Sequence, residues 1–162
     1  MRARSAASNA LGLLGWLFAA FAAGALGAVA SVDAASFYAQ LSKPSWAPPA
    51  SVFGPVWSGL YVLMGVAAWL VWKSQADTRA ALRLFGMQLA ANALWSWLFF
   101  AWHRGALAAI EVLILLALIV ATLGAFWRIS RAAALLLVPY LLWVTFASAL
   151  TWAVWQKNPR LL

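Results

Sequence analysis

Long apolar stretches alternate with short polar ones along the whole chain. Crossing about 30 Å of hydrocarbon takes a helix of about 20 apolar residues. Five stretches are long enough, and they cover about residues 9–32, 52–73, 80–102, 105–127 and 132–156. Their connections are short, except for a lid-like loop at 33–51, so antiparallel neighbouring helices are expected. The pattern predicts a single membrane domain over residues 1–162: an all-α integral membrane protein, built as a five-transmembrane-helix bundle.

Composition agrees with a bilayer as the solvent. Hydrophobic residues make up 67% of the chain and charged residues 9%, whereas soluble domains are about a quarter charged. The formal charge of +8 comes from 11 Lys and Arg against 3 Asp and Glu. These cations stand singly or in pairs between apolar runs, without a continuous basic face, so nucleic-acid binding is not expected. The chain has no cysteine, which excludes disulfides and thiol chemistry.

The distribution of Lys and Arg predicts the orientation, because cytoplasmic loops carry an excess of both. The N-terminus, the second loop and the fourth loop lie on one side and contain Arg2, Arg4, Lys73, Arg79, Arg83, Arg128 and Arg131. The other side contains Lys43, Arg104, Lys157 and Arg160. This difference places the N-terminus inside and the 33–51 loop outside.

The first apolar stretch has features of a signal peptide, with basic residues before it and "AVAS" at its end. Its apolar run of about 20 residues is longer than the roughly 7–15 residues of a signal peptide. Ala20, Gly24 and Ala28 also have the small-xxx-small spacing that suits helix packing. We therefore expect a first helix that is retained.

Polar residues inside spanning helices are costly unless they face the bundle interior. In the third helix, Gln88, Asn92, Trp95 and Phe99 follow helical spacing and share one face. This face would line an internal cavity, or its amides would only hydrogen-bond neighbouring helices. Both interpretations remain open at this point.

Glu111 is the only acid within a predicted span. Such an acid would bind an ion, a proton or a ligand, or it would pair near the interface with a cation such as Arg104. A coupled transporter usually gathers several ionisable groups, so we favour the pairing. His103, the only histidine, is expected to be a solvated helix end. No second ligand lies at metal-binding spacing, so no metal site is predicted.

Twelve tryptophans are present in 162 residues. Several lie near predicted helix ends, as expected of interfacial belts: Trp16, Trp72, Trp102, Trp127 and Trp155. Trp57, Trp95 and Trp143 instead fall on inward faces of three helices. Their indoles would converge on a flat, largely apolar ligand, or they would form a packed aromatic core.

Three separated motifs resemble one family. The first is Trp46-Ala-Pro48-Pro49, followed by Phe53, Trp57 and Tyr61 at intervals of four. The third helix contains Gln88-Leu-Ala-Ala-Asn92-Ala-Leu-Trp95, and the fifth contains Pro139-Tyr140-Leu-Leu-Trp143 with Ala147, Leu150 and Asn158 after it. Over about residues 36–158 the chain resembles the TspO/MBR family, which comprises tryptophan-rich sensory proteins and the mitochondrial translocator protein, or peripheral-type benzodiazepine receptor.

The resemblance implies a five-helix bundle, commonly a homodimer, that binds porphyrins such as protoporphyrin IX without a required cofactor. In animal members the ligands also include cholesterol and synthetic benzodiazepine-receptor-type compounds. The first loop would fold over the mouth of the pocket. By position, the implied ligand-binding residues are Phe53, Trp57, Asn92, Trp95, Leu107, Trp143, Ala147 and Leu150. Leu107 stands where the family often has a tryptophan, which would leave one wall more open.

The function implied is that of a membrane receptor or sensor for porphyrins. One alternative is light- and oxygen-dependent porphyrin degradation, in which Trp57 and Trp143 would take part. Another is transport of porphyrin or a sterol-like cargo, although the sequence shows no inverted repeat and no cluster of intramembrane charges. The sterol pattern near the end of the fifth helix has Trp152 in place of a tyrosine, which puts cholesterol in doubt. The alanine-rich sequence and the basic N-terminal extension are consistent with a protein of a bacterial membrane.

Overall fold

The computed structural model describes residues 5–162, so Arg2 and Arg4 lie outside the described residues. Seven α-helices follow one another in this part of the chain. They are α1 (Ala6–Ala30), α2 (Ala34–Gln40), α3 (Phe53–Trp72), α4 (Arg79–Ser96), α5 (Gly105–Ile129), α6 (Arg131–Leu136) and α7 (Val138–Lys157). A short 3-10 turn, Ala50–Val52, precedes α3, and a π-helical turn, Trp97–Ala101, follows α4.

Among residues 5–162, five segments are long and apolar enough to cross a membrane, which confirms the predicted all-α bundle. They are Ala6–Ala30, Ala50–Trp72, Arg79–Ala101, Gly105–Ile129 and Arg131–Lys157. Their ends differ from the predicted ends by a few residues, as helix boundaries commonly do. The last span is interrupted at Leu137, between α6 and α7. Pro139 follows the interruption, and it has no N–H to donate to the carbonyl of Leu135, four residues back.

Glycines allow α1 and α3 to approach closely. A Cβ added to Gly65 would lie 2.9 Å from the Leu17 Cα, and one added to Gly24 would lie 2.5 Å from the Tyr61 ring. Small residues at such positions let helix backbones pack in a membrane, where burial of apolar groups gives little driving force. The small-residue stripe predicted for α1 is partly wrong because Ala28 is exposed. The buried positions of α1 are Ala20, Ala23, Gly27 and Ala30.

The connection at 33–51, called the lid from here on, is not a simple loop because it contains α2. Asn158, just after α7, fastens the lid to the last helix. Its side-chain oxygen accepts a hydrogen bond from the Ser42 amide (2.8 Å), and its Nδ2 donates to the Ser42 carbonyl (2.9 Å). The same nitrogen also donates to the Val154 carbonyl at 2.7 Å. The lid is therefore held by a residue 116 positions away in the chain.

The π-helical turn after α4 accommodates one extra residue in its last turn. The Trp102 amide donates to the Trp97 carbonyl at 2.8 Å, five residues back. Such turns occur as single bulges and frequently at functional sites. Phe99 lies within this turn and is 3% exposed. His103, which follows Trp102, has a φ of 51°. This left-handed conformation lets the chain reverse its direction into α5.

Candidate functional site

An aromatic cluster joins α3 to α7 on the side of the bundle that the lid covers. Phe53 meets Trp143 edge to face, with ring centroids 6.0 Å apart. One turn further along α3, Trp57 contacts Tyr140 (6.1 Å) and stacks on Tyr61 (5.6 Å). The antiparallel course of the two helices produces this ladder, because residues advancing along α3 meet residues receding along α7.

Helix α4 adds Trp95 to this cluster. Its ring stacks on Phe99 at 5.2 Å and meets Phe100 edge to face at 5.6 Å. Trp95 packs against the central core of the bundle and also against the lid-side core that contains Leu150 and Phe53. It therefore links the two apolar cores at the level of the site.

The amides of α4 differ in their contacts. The Tyr61 hydroxyl donates a 2.7 Å hydrogen bond to Asn92 Oδ1, which joins α3 to α4. The Gln88 Nε2 makes a weak 3.9 Å contact with the Met64 sulfur. Gln88 Oε1 is buried without a partner within residues 5–162. One amide is therefore part of an interhelical hydrogen bond, while the other retains a free acceptor.

Several further polar groups are buried near the aromatic rings without partners in the described part of the chain. The indole N–H groups of Trp95 and Trp143, the hydroxyl of Tyr140 and both carboxyl oxygens of Glu111 make no hydrogen bond there. Glu111 is 7% exposed. The predicted pairing of Glu111 with Arg104 is therefore wrong: Arg104 is exposed in the turn before α5, while the acid points into the bundle.

The lid closes over the cluster. Tyr38 of α2 meets Phe53 edge to face at 5.6 Å, and its hydroxyl donates to the Pro48 carbonyl at 3.1 Å. Trp46 meets Phe146 at 5.7 Å, and Phe146 in turn contacts Trp143 at 5.5 Å. Burial raises the pKa of the Tyr38 phenol, since the charged phenolate is disfavoured away from water.

The structure brings most of the proposed binding residues together. Contacts or shared core clusters connect Phe53, Trp57, Asn92, Trp95, Trp143 and Leu150. Ala147 is half-buried and lies one helical turn after Trp143. Leu107 is different: 51% of it is exposed, although it lies only one helical turn before the buried Glu111. The structure does not bring Leu107 to the cluster.

Sequence reasoning missed Tyr38 and Phe146. Tyr38 lies on α2, a helix of only 7 residues within the lid, and so short a helix gives no periodic pattern to read. Phe146 falls three residues after Trp143 and shares its side of α7, so the helical spacing could have revealed it. The hydrogen bonds between Asn158 and Ser42 could not be predicted from local sequence, because they depend on how the lid packs against the end of the last helix.

The site is closed, with its rings in direct contact. Two clefts, of about 470 and 420 Å³, lie instead at the opposite membrane face, near the C-terminal ends of α5 and α3. Among residues 5–162, no group of three His, Asp or Glu side chains is placed to hold a metal ion. His103 lies outside the cluster, exposed and stacked on Phe37 at 4.1 Å.

Comparison with known proteins places the chain in a family. The TspO/MBR family matches residues 16–156. The tryptophan-rich protein TspO of Chlorobaculum tepidum is 42% identical over 130 residues, which are 78% of this chain and 82% of the relative. The human translocator protein is 41% identical over 126 residues, 75% of each chain. The tryptophan-rich sensory protein of Cereibacter sphaeroides is 38% identical over 122 residues, 75% of this chain and 77% of the relative.

The family match, over residues 16–156, extends across the residues that build the aromatic cluster. With its five spanning helices and relatives such as those of Chlorobaculum tepidum and Rhodobacter capsulatus, the protein is a multi-pass protein of a bacterial membrane. From the family match and the similarity along three quarters of its length, the chain belongs to the TspO/MBR family.

Proposed function

We propose that the protein is a membrane receptor or sensor that binds a metal-free porphyrin in the aromatic cluster under the lid. The observation that carries the proposal is the pair of buried indole N–H groups, on Trp95 and Trp143, that find no acceptor within the described chain. A buried donor without a partner costs about 1–3 kcal/mol. A ligand with a flat aromatic face and peripheral acceptors would remove that cost.

The chemistry of the cluster matches a tetrapyrrole. Trp57, Phe53 and Trp143 present aromatic faces and edges from two helices, which favours stacking on a planar macrocycle. Porphyrin carboxylates would accept hydrogen bonds from the indole donors. His103 lies outside the cluster, so the site offers no imidazole as an axial ligand for an iron porphyrin. The name of one relative, a sensory protein, agrees with a sensor or receptor, while that of another, a translocator protein, agrees with the transport alternative.

Ligand entry requires the lid to move, because the rings are in contact in the closed site. Two contacts in the first half of the lid oppose this movement: Tyr38 on Phe53, and the Asn158 clamp on Ser42. Displacing the lid would let Phe53 and Phe146 separate from Trp143. We therefore expect binding to be slower than diffusion, with a rate set by the lid.

The proposal is tested by titrating the detergent-solubilised protein with protoporphyrin IX and following tryptophan fluorescence. Saturable quenching is expected for the wild type. Trp143→Phe keeps an aromatic ring but removes the N–H, and it should weaken binding about tenfold, which corresponds to one lost hydrogen bond of about 1.4 kcal/mol. Trp57→Phe should weaken binding through its smaller stacking area.

Trp152→Phe is the matched control, since Trp152 lies on the same helix with 55% of its surface exposed. It should bind porphyrin as the wild type does. The proposal fails if the wild type shows no saturable quenching, or if all three variants bind equally well.

Two alternatives are separated from a receptor by further measurements on the same complex. If illumination in oxygen depletes the bound porphyrin faster than free pigment, and Trp143→Phe abolishes the difference, the protein degrades porphyrin. If reconstituted vesicles show protein-dependent porphyrin flux, it transports porphyrin. Binding without either result leaves the receptor as the function.

A further inference from the structure

A polar cleft of about 420 Å³ lies at the membrane face opposite to the lid. It is formed where the start of α1, the end of α3 and the end of α5 meet. The lining residues are Asn9, Leu70, Lys73, Ser74, Gln75, Ile129 and Ser130. Five of these residues are polar and come from the start of α1 and from the connections after α3 and α5. The other two, Leu70 and Ile129, form apolar walls.

Lys73 and Ser74 give this cleft its donors. The Lys73 ammonium lies 3.9 Å from the centroid of the Trp69 ring. That ring is held in place because its N–H donates to the Asn9 carbonyl at 2.9 Å. Lys73 makes no ion pair within residues 5–162, and the buried Ser74 hydroxyl makes no hydrogen bond there. The cleft therefore contains an ammonium group held over the Trp69 ring and a hydroxyl group without a hydrogen-bond partner among the described residues.

The surroundings of the cleft are cationic. Arg79, Arg128 and Arg131 lie at helix ends on the same membrane face. The single acid there, Asp77, accepts a hydrogen bond from the Arg79 amide at 3.1 Å. Three arginines and Lys73 against one carboxylate create a positive potential at this face, which attracts anionic headgroups.

An apolar groove of about 470 Å³ follows the outer face of the same end of α5. Small residues form its floor and Arg128 stands at its rim: the lining is Ala121, Leu123, Gly124, Ala125, Trp127 and Arg128. The Arg131 guanidinium lies 5.7 Å from the centroid of the Trp127 ring. This end of α5 therefore offers apolar surface toward the membrane interior and cations at the interface. A phospholipid requires both, the first for its acyl chains and the second for its phosphate.

We propose that the cleft binds the phosphate headgroup of an anionic phospholipid, with Lys73 and Ser74 as its contacts and the acyl chains on the adjacent apolar groove. A free phosphate ester would use the same donors but would gain nothing from the groove. The site is separate from the aromatic cluster and does not depend on porphyrin binding.

The test measures the thermal unfolding midpoint of the full protein in neutral detergent during titration with phosphatidylglycerol, with phosphatidylcholine and with glycerol 3-phosphate. Ligand that binds only the folded state raises this midpoint. Phosphatidylglycerol should raise the midpoint in a saturable manner, and the other two should not. Lys73→Gln should weaken the apparent phosphatidylglycerol affinity about tenfold, and Ser74→Ala should weaken it about threefold.

Lys157→Gln is the matched control, because Lys157 is an exposed lysine at the other membrane face; it should respond as the wild type does. Native mass spectrometry gives a second readout, in which the wild type should retain one more phosphatidylglycerol than Lys73→Gln. Equal effects of the two lipids, equal effects of glycerol 3-phosphate, or a wild-type response in Lys73→Gln would each overturn the proposal.

Discussion

The two halves of the bundle are built from different residues, although the same spanning helices run through both. In the distal half, far from the lid, Phe85 stacks on Phe126 at 5.9 Å and both rings are fully buried. Gly65 packs there against the backbone of α1. The lid-side half contains the rings of Trp95 and Trp143. Their indole N–H groups have no acceptor among the described residues.

The contrast distinguishes a packed core from the proposed binding site. Aromatic rings alone do not distinguish the two, since Phe85 and Trp143 both lie in ring contacts. Unsatisfied donors and acceptors do, because native interiors pair nearly all their buried polar groups. The Phe85–Phe126 pair in the distal half buries no polar atom, whereas the lid-side rings of Trp95 and Trp143 bury two N–H groups that the proposed ligand would satisfy.

The largest effect is expected in the distal half, from Gly65→Val. A Cβ at position 65 would lie 2.9 Å from the Leu17 Cα, so α1 and α3 would have to separate. Overpacking typically costs about 1–3 kcal/mol, and backbone contact places this change near 3. Thermal unfolding in detergent measures the loss.

Gly59→Val is the control on the same helix, because a Cβ there meets nothing within 4 Å. If Gly59→Val destabilises the protein as much as Gly65→Val, backbone packing of α1 on α3 is not what stabilises the distal half.

The next effect is expected at the lid, from Asn158→Ala. The change removes two hydrogen bonds to Ser42 and one to Val154. At about 0.5–1.5 kcal/mol for each bond, lid closure should weaken by about 2 kcal/mol, or roughly thirtyfold. Amide hydrogen exchange at Ser42 measures this change, and porphyrin should associate faster. Asn9→Ala should leave exchange at Ser42 unchanged, as its side chain lies at the opposite face.

A smaller effect separates the two phenols of the site. Tyr61→Phe removes the hydrogen bond to Asn92 and leaves a buried acceptor unpaired, so the free energy of unfolding should fall by about 1 kcal/mol. Tyr140→Phe removes a hydroxyl that lies beside Asn92 without a hydrogen bond of good geometry among residues 5–162, so it should cost less than Tyr61→Phe. Chemical denaturation of both variants measures the difference, and equal losses would contradict the assigned hydrogen bonds.

The smallest effect concerns pH and the lid. Burial raises the pKa of Tyr38, so the opened lid releases the phenol proton more readily than the closed one. Closure is therefore fully favoured below the ordinary tyrosine pKa of about 10 and weakens as pH rises above it. Spin labels at Ala39 and Lys157 would report lid opening at alkaline pH. Tyr38→Phe should show no such opening, and an identical pH profile would exclude Tyr38 as its cause.

The sequence was sufficient for the spanning helices and for much of the site. Apolar length predicts the spans, and helical spacing places Asn92 and Trp95 on one face of α4 because that face is continuous. The fate of Glu111 was not predictable from spacing, since Arg104 lies close in sequence but outside the bundle. Leu107 could not be placed either: the position of a residue within a motif does not show which way its helix is turned.

The clamp between Asn158 and the lid has a consequence for biosynthesis. Its two partners are 116 positions apart, and α7, which carries Trp143 and Phe146 and is followed by the clamp residue, is synthesised after the lid and the six helices before it. Earlier helices can insert and associate during translation, but the lid cannot form its Asn158 clamp until α7 and Asn158 have been synthesised. A nascent or truncated chain that ends before α7 is a membrane protein without a receptor site.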